Sequence, residues 1–214
     1  MTTKQKALEI YARLKKDNPN PRVELTFTTP FELLVATILS AQCTDKLVNT
    51  VTPALFRKFP TIKSFAEATV EEIDVLVEKI NFHSNKAKNI QGSAKMVMET
   101  YNGVVPNTME DLDALPGVAR KTANVVLGSA FGIASGIVID THGIRLVNKL
   151  GLCNTKDPVK IERELMQMLP REAWIDFGQL ITLHGRYKCT ARPNHDCSKC
   201  PLGDLCPEYE EWRR

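Results

Sequence analysis

The sequence predicts an all-α fold, and three observations carry the prediction. Helix-start signatures recur along the chain, and apolar residues recur at a spacing near 3.6. The one strand-like stretch, residues 137–139, is too short to build a sheet. Ala7, Leu8, Tyr11 and Leu14 give the first helix an apolar face, before Pro19 and Pro21 interrupt the chain. Thr29, Pro30 and Glu32 supply an N-cap, a first-turn proline and a capping-box glutamate for a helix over residues 33–42. Thr69 with Glu72, and Thr108 with Asp111, repeat that logic, each placing an acid where the helix dipole favours it. A turn at Pro116 and Gly117 opens into an apolar helix, and Asp157 with Pro158 starts another that stops before Pro170. No low-complexity tract or internal repeat breaks this organisation.

At 214 residues the chain can bury a sizeable core, as one domain or two small ones. With 43% hydrophobic and 25% charged residues, the composition is that of an ordinary soluble globular protein. The net charge of +3 is mild, so its placement matters more than its size. Residues 115–150 hold Arg120, Lys121, Arg145 and Lys149 against Asp140 alone. Residues 184–200 hold Arg186, Lys188, Arg192 and Lys199 against Asp196 alone. Two such patches suggest a face for a polyanion; on charge alone, a solvated surface is the competing reading. Residues 1–17 lack the apolar core of a secretion signal. Residues 122–139 carry no charge over eighteen positions, but Asn124, Ser129, Ser135 and glycines 128, 132 and 136 interrupt them. A buried helix with a short extended link fits that pattern better than a membrane span. The expectation is a soluble, cytoplasmic monomer with no membrane partner.

Two constellations carry chemistry. The first is Leu115-Pro116-Gly117-Val118-Ala119-Arg120-Lys121-Thr122-Ala123, followed nineteen residues after the lysine by Asp140. A Pro-Gly turn running into a helix leaves backbone N–H groups at a positive helix end, where a phosphate binds. Lys121 follows on the first turn and can neutralise that phosphate or, unprotonated, attack carbon. Taken alone, Lys121 reads as a solvated surface lysine and Asp140 as the N-cap of a helix starting at Thr141. The second constellation is Cys189, Cys197, Cys200 and Cys206, separated by seven, two and five residues. Four thiols so close can converge on one metal centre, zinc or iron–sulfur, which ligand type alone does not separate. His195, inside the loop, reads as a surface residue, because four thiolates suffice as ligands. Cys43 and Cys153 stand apart and read as buried, inert thiols.

The stretch from Leu115 through Leu127 resembles the helix-hairpin-helix of the endonuclease III DNA glycosylases. The resemblance continues through Val138-Ile139-Asp140-Thr141-His142, through His184-Gly185-Arg186-Tyr187-Lys188-Cys189, and into the cysteine loop. Pro30-Phe31-Glu32-Leu33-Leu34, Leu39-Ser40-Ala41-Gln42-Cys43-Thr44-Asp45 and Asn85-Lys86-Ala87-Lys88-Asn89-Ile90 extend it over nearly the whole chain. It implies a six-helix barrel domain over residues 23–134 and a cluster domain from residues 1–22 and 135–214. The helix-hairpin-helix would lie at the cleft. The implied function is a bifunctional DNA glycosylase and abasic-site lyase of base excision repair, acting in the nucleoid on oxidised pyrimidines in double-stranded DNA. Lys121 would be the nucleophile and Asp140 the catalytic carboxylate. The four cysteines would hold a [4Fe–4S] cluster that shapes a DNA-facing loop rather than reacting. Gln42 matches the family's gap filler and Phe82 its apolar wedge. Without the resemblance they read as helix-end surface and core. Gly117, Ala119, Arg120, His142, Lys188, Arg192 and Lys199 complete the implied DNA contacts.

Four departures from the family pattern stand out. Ala119 replaces a second hairpin glycine, Gly143 replaces an apolar residue, Asn81-Phe82-His83 lacks the usual leading glycine, and the first cysteine gap is seven residues rather than six. Two other functions compete. A monofunctional adenine-mismatch glycosylase would lack Lys121 and carry a further C-terminal domain. A metal-stabilised DNA-binding module without catalysis would leave the Lys121 and Asp140 pair unexplained.

Overall fold

The computed structural model describes residues 1–191 and 196–209. Among them are α-helices and two 3-10 turns, and no strand. The chain divides into two compact units, Met1–Val23 with Ala134–Arg214, and Glu24–Ile133.

The central unit contains α2 (Pro30–Ser40), α3 (Asp45–Lys58), α4 (Ile62–Glu67), α5 (Val70–Leu76), α6 (His83–Thr100), α7 (Met109–Asp113) and α8 (Arg120–Phe131). The capping box forms as its residue types require: the Glu32 N–H donates to Thr29 Oγ1 at 3.2 Å, and the Thr29 N–H returns to Glu32 Oε2 at 3.3 Å. Helix α2 starts at Pro30 and ends at Ser40, so Gln42 lies beyond it, with a left-handed backbone at φ 56°. Phe31 and residues 33–39 are all buried, as in a helix running through a core. Helices α3, α6 and α8 pack around it. Phe65 joins Phe31 and Phe59 with ring centroids 5.3 Å apart in both pairs, closing the α4 end of this core.

The other unit contains α1 (Thr3–Asp17), α9 (Thr141–Lys149), α10 (Pro158–Met168), α11 (Trp174–Tyr187) and the 3-10 turns Arg171–Ala173 and Gly203–Leu205. Its core joins Ile10 and Leu14 of α1 to Leu146, Ile161, Leu165, Phe177 and Ile181. The expected face of α1 needs one correction. Ala7, Ile10 and Leu14 are buried, whereas Leu8 is 37% exposed, because the 7-10-14 spacing selects a stripe that turns Leu8 outward. Residues 137–139 form no strand, and Ile137 and Ile139 are buried.

Candidate active site and cysteine cavity

The hairpin in the central unit is built by one tight turn. Gly117 has φ 75°, and a Cβ there would lie 2.7 Å from Asn89 Cβ and Nδ2, so both backbone and space demand glycine. Ser93 Oγ donates to the Pro116 carbonyl at 2.7 Å, fixing the turn against α6. Ala119 is the N-cap of α8 at φ −111° and ψ 169°, extended backbone that alanine adopts without strain. It supplies no side-chain cap, so the first turn of α8 keeps backbone donors for an outside acceptor. Arg120 and Lys121 are exposed on that turn. Among the described residues the Lys121 ammonium has no hydrogen bond or ion pair.

Gln42 and Phe82 stand on two neighbouring loops of the same unit. Phe82 is 62% exposed, with φ 58°, so it is not a core residue. Cys43 Sγ, expected to be inert, accepts the Asn81 N–H at 3.3 Å and lies 3.8 Å from Lys86 Nζ. Lys86 is a residue whose role the sequence did not disclose. Its one signal is a lysine on the apolar stripe of residues 86, 90, 94 and 97.

In the other unit Asp140 caps α9. Its Oδ1 accepts the Gly143 N–H at 2.7 Å and the Thr182 hydroxyl at 3.3 Å; among the described residues Oδ2 takes no hydrogen bond. Gly143 is buried, and a Cβ there would meet Ile181, Asp140 and Ile139 at 3.4–3.7 Å, ordinary contact. Helix α9 is therefore intact with glycine and has room for alanine. His142 is half-buried and packs on α11, where a Cβ on Gly185 would come within 3.0 Å of its Cβ.

The four cysteines line one cavity of about 600 Å³, shared with Lys149, His184 and Lys188 among others. None of the four is in a disulfide. Burial raises the pKa of Cys197 and Cys200, and the neighbouring thiols raise it further. A metal centre among them would reverse that penalty, and thiols are the donors an iron–sulfur group takes. Among the described residues no three Cys, His, Asp or Glu side chains form a ready-made single-ion site. The donor chemistry and the room both fit a polynuclear group. Arg145 braces this wall, donating to the Gly185 carbonyl at 2.9 Å and reaching Cys189 Sγ at 3.9 Å. His184, 5% exposed, sits 3.7 Å from Cys200 Sγ through Nε2. Neither Arg145, behind the cavity wall, nor His184, lining it, had a spacing signal that marked its place.

The remaining predicted contacts fare differently. Lys188 Nζ donates to both carboxylate oxygens of Asp17, at the end of α1, at 2.6 Å. Lys199 is exposed at the cavity rim. Arg192 and His195 lie outside the described residues. No described helix is long and apolar enough to cross a membrane, and the uncharged stretch over residues 122–139 runs through α8, buried at residues 123–127, and on past its end.

Comparison with known proteins shows the family. Residues 35–171 match the HhH-GPD superfamily base excision DNA repair protein family. The endonuclease III of Synechocystis sp. is 50% identical over 207 residues, covering 97% of this chain and 94% of its own. A non-covalent endonuclease III–DNA complex superposes with a TM-score of 0.92 at 41% identity, over 100% of both chains. A trapped covalent endonuclease III–DNA intermediate, with an estranged adenine, does so at 0.91 and 40% identity, again over 100% of both. The chain belongs to the endonuclease III family within the HhH-GPD superfamily of base excision repair proteins, the DNA glycosylases that also cleave at abasic sites.

Proposed function

We propose that this glycosylase and lyase releases oxidised pyrimidines from duplex DNA through a Schiff base on Lys121. The observation that carries the reading is an exposed lysine without a partner, on the first turn of a helix whose N-terminus has no side-chain cap. Phosphate bound to those backbone donors brings the adjoining sugar to the amine. A paired base cannot be reached in the stack, so the nucleotide must be flipped out, with Gln42 filling the gap and Phe82 wedging the neighbouring step.

The neutral Lys121 amine attacks C1′, and the glycosidic bond breaks with its electron pair leaving on the base, which takes up a proton. The amine loses its protons as the sugar ring opens to the imine. Removal of a C2′ proton then expels the 3′ phosphate, and water hydrolyses the imine to free Lys121. Asp140 would act as proton acceptor and stabilise positive charge developing on the sugar, through the Oδ2 left open while Oδ1 caps α9. Gly117, Arg120, His142, Arg192 and Lys199 would contribute phosphate contacts, with Lys188 doing so only by leaving Asp17.

Cys189, Cys197, Cys200 and Cys206 would hold a [4Fe–4S] cluster, a reading supported by four cysteines on one cavity, none of them in a disulfide. With all its ligand positions taken by cysteine it supplies shape rather than hydrolytic chemistry. The reading takes the protein to act as a monomer.

Borohydride trapping on a duplex carrying one thymine glycol tests the central claim, with Lys121→Ala and Asp140→Asn beside the wild type. An adduct formed by the wild type and lost in Lys121→Ala supports the mechanism. Base release without an adduct would mean that Lys121 is misassigned. No release and no adduct would sink oxidised pyrimidines of this kind as substrates.

A further inference from the structure

Among the described residues, two of the three non-glycine residues with positive φ are Gln42 and Phe82, at φ 56° and 58°. Side chains of that size gain nothing locally from a left-handed backbone, so surrounding structure must hold both loops in place. Lys86 does much of this. The residue is 6% exposed, and its ammonium donates to the Leu39 carbonyl at 2.8 Å and the Ala41 carbonyl at 2.6 Å. These are carbonyls at the C-terminal end of α2, where a helix leaves acceptors unpaired and its dipole favours a cation. The chain leaves that end directly into Gln42. From the other loop, the Asn81 side chain donates to the Gln42 carbonyl at 2.9 Å and its N–H meets Cys43 Sγ. Burial pulls the Lys86 pKa down. A buried cation that caps a helix its own helix packs against is an expensive fixture for packing alone.

The same stripe of α6 also carries the phosphate-binding turn. Asn89 lies against Gly117, and Ser93 holds the Pro116 carbonyl. Residues 86, 89 and 93 of α6 are spaced by three and four, one face of a helix, and Phe82 is its N-cap. One rigid helix therefore presents Phe82, anchors the Gln42 loop and seats the hairpin.

We propose that Lys86 is a positioning residue that holds the lesion-probing pair Gln42 and Phe82 in register with the phosphate-binding hairpin. The proposal rests on the assignment of that pair under Proposed function. Its loss slows release of a stacked, paired base, which needs gap filling and phosphate binding at once. It spares cleavage at a pre-formed abasic site, where no base need be unpaired. Misplacement by about 1 Å far from the reacting atoms costs on the order of a hundredfold in rate.

The test is single-turnover base release from a thymine glycol duplex against strand cleavage of a pre-formed abasic duplex, in the wild type, Lys86→Met, Asn81→Ala, Gln42→Ala and Phe82→Ala. Lys86→Met keeps the alkyl stem and removes the donors. Base release should fall by about tenfold or more relative to abasic cleavage, and adding Gln42→Ala should cost little further. Equal losses in the two reactions, or no loss, would overturn the positioning role while Gln42→Ala and Phe82→Ala still slow release. If those two variants leave release unchanged, the probing pair is misassigned and the proposal falls with it. Should Lys86→Met not fold, Asn81→Ala decides: selective loss of base release supports the proposal, and unchanged release overturns it.

Discussion

Gly117→Ala probes the hairpin at its tightest point. The substitution places a Cβ at φ 75°, which costs a non-glycine residue about 1–2 kcal/mol. It also drives that atom to 2.7 Å from Asn89 Cβ and Nδ2 and 2.9 Å from Cγ, an overlap of the kind that costs about 1–3 kcal/mol. The expected destabilisation is about 3 kcal/mol, or a fall in Tm of roughly 6–12 °C for a chain of this length. Urea denaturation measures the first quantity, and binding to a duplex with a stable abasic analogue reports the displaced turn. The overlap and the backbone strain separate in a double-mutant cycle with Asn89→Gly, which removes the clashing atoms. Asn89→Ala would keep the Cβ and with it one of the 2.7 Å contacts. About 1 kcal/mol or more should return in the Gly117→Ala/Asn89→Gly protein, after subtracting the cost of glycine in α6. An identical loss in both backgrounds would refute the claim that Asn89 is what forbids a side chain at residue 117.

Three other outcomes follow from the same geometry. Gly143→Ala should stabilise the protein by about 0.5–1 kcal/mol in urea, because its Cβ meets only ordinary contacts and stiffens a helical position. Burial, with a hydrogen bond to Glu164, raises the Cys153 thiol from 9.0 to about 12. The thiol stays neutral in the fold while an unfolded thiol ionises. Its contribution is therefore complete below pH 9 and lost as pH rises towards 12, so the stability advantage over Cys153→Ala should shrink between pH 8 and pH 10.5. Ala119→Asp supplies α8 with the side-chain cap it lacks and should add about 1 kcal/mol of stability. It should also weaken duplex binding and flatten its salt dependence, since the new carboxylate occupies the phosphate's donors. Unchanged binding in fluorescence anisotropy would remove the α8 terminus from the DNA contacts.

What the sequence disclosed and what it hid divide along one physical line. Features set by neighbours in the chain were legible: the Thr29 capping box, the Pro158 first turn, the turn at Gly117, the Asp140 cap and the cysteine quartet. Each depends on residues within a few positions, or on a side chain with a narrow range of uses. Features set by partners distant in sequence were hidden. The pairing of Lys188 with Asp17 had no signal, because nothing near Lys188 hints at a partner 171 residues away. Lys86 carried a weak signal as a charged residue on an apolar stripe, but only the end of α2 explains its burial. The left-handed backbone at Gln42 and Phe82 was invisible, because neither residue type favours it and the ties holding it cross between loops.

The two helices that begin beside the proposed catalytic residues use one physical device in opposite senses. Each starts with N–H groups that no residue of its own helix can pair, and a dipole that favours negative charge. At α9 the chain meets that need internally: Asp140 sits at the N-cap and the Gly143 N–H binds it at 2.7 Å. The bond fixes one carboxylate oxygen, turning a flexible side chain into an oriented one, while Thr182 adds a second restraint on the same oxygen. At α8 the N-cap is Ala119, which has nothing to offer, and the next two residues are cations. A helix end with an uncapped first turn beside Arg120 and Lys121 sacrifices about 1 kcal/mol of capping stability. That sacrifice makes sense where an anion arrives from outside and stability is recovered on binding. The asymmetry is written in single residues, aspartate at one N-cap and alanine at the other. It separates a helix end that orients its own carboxylate from one without a cap, where the proposed function puts the substrate's phosphate.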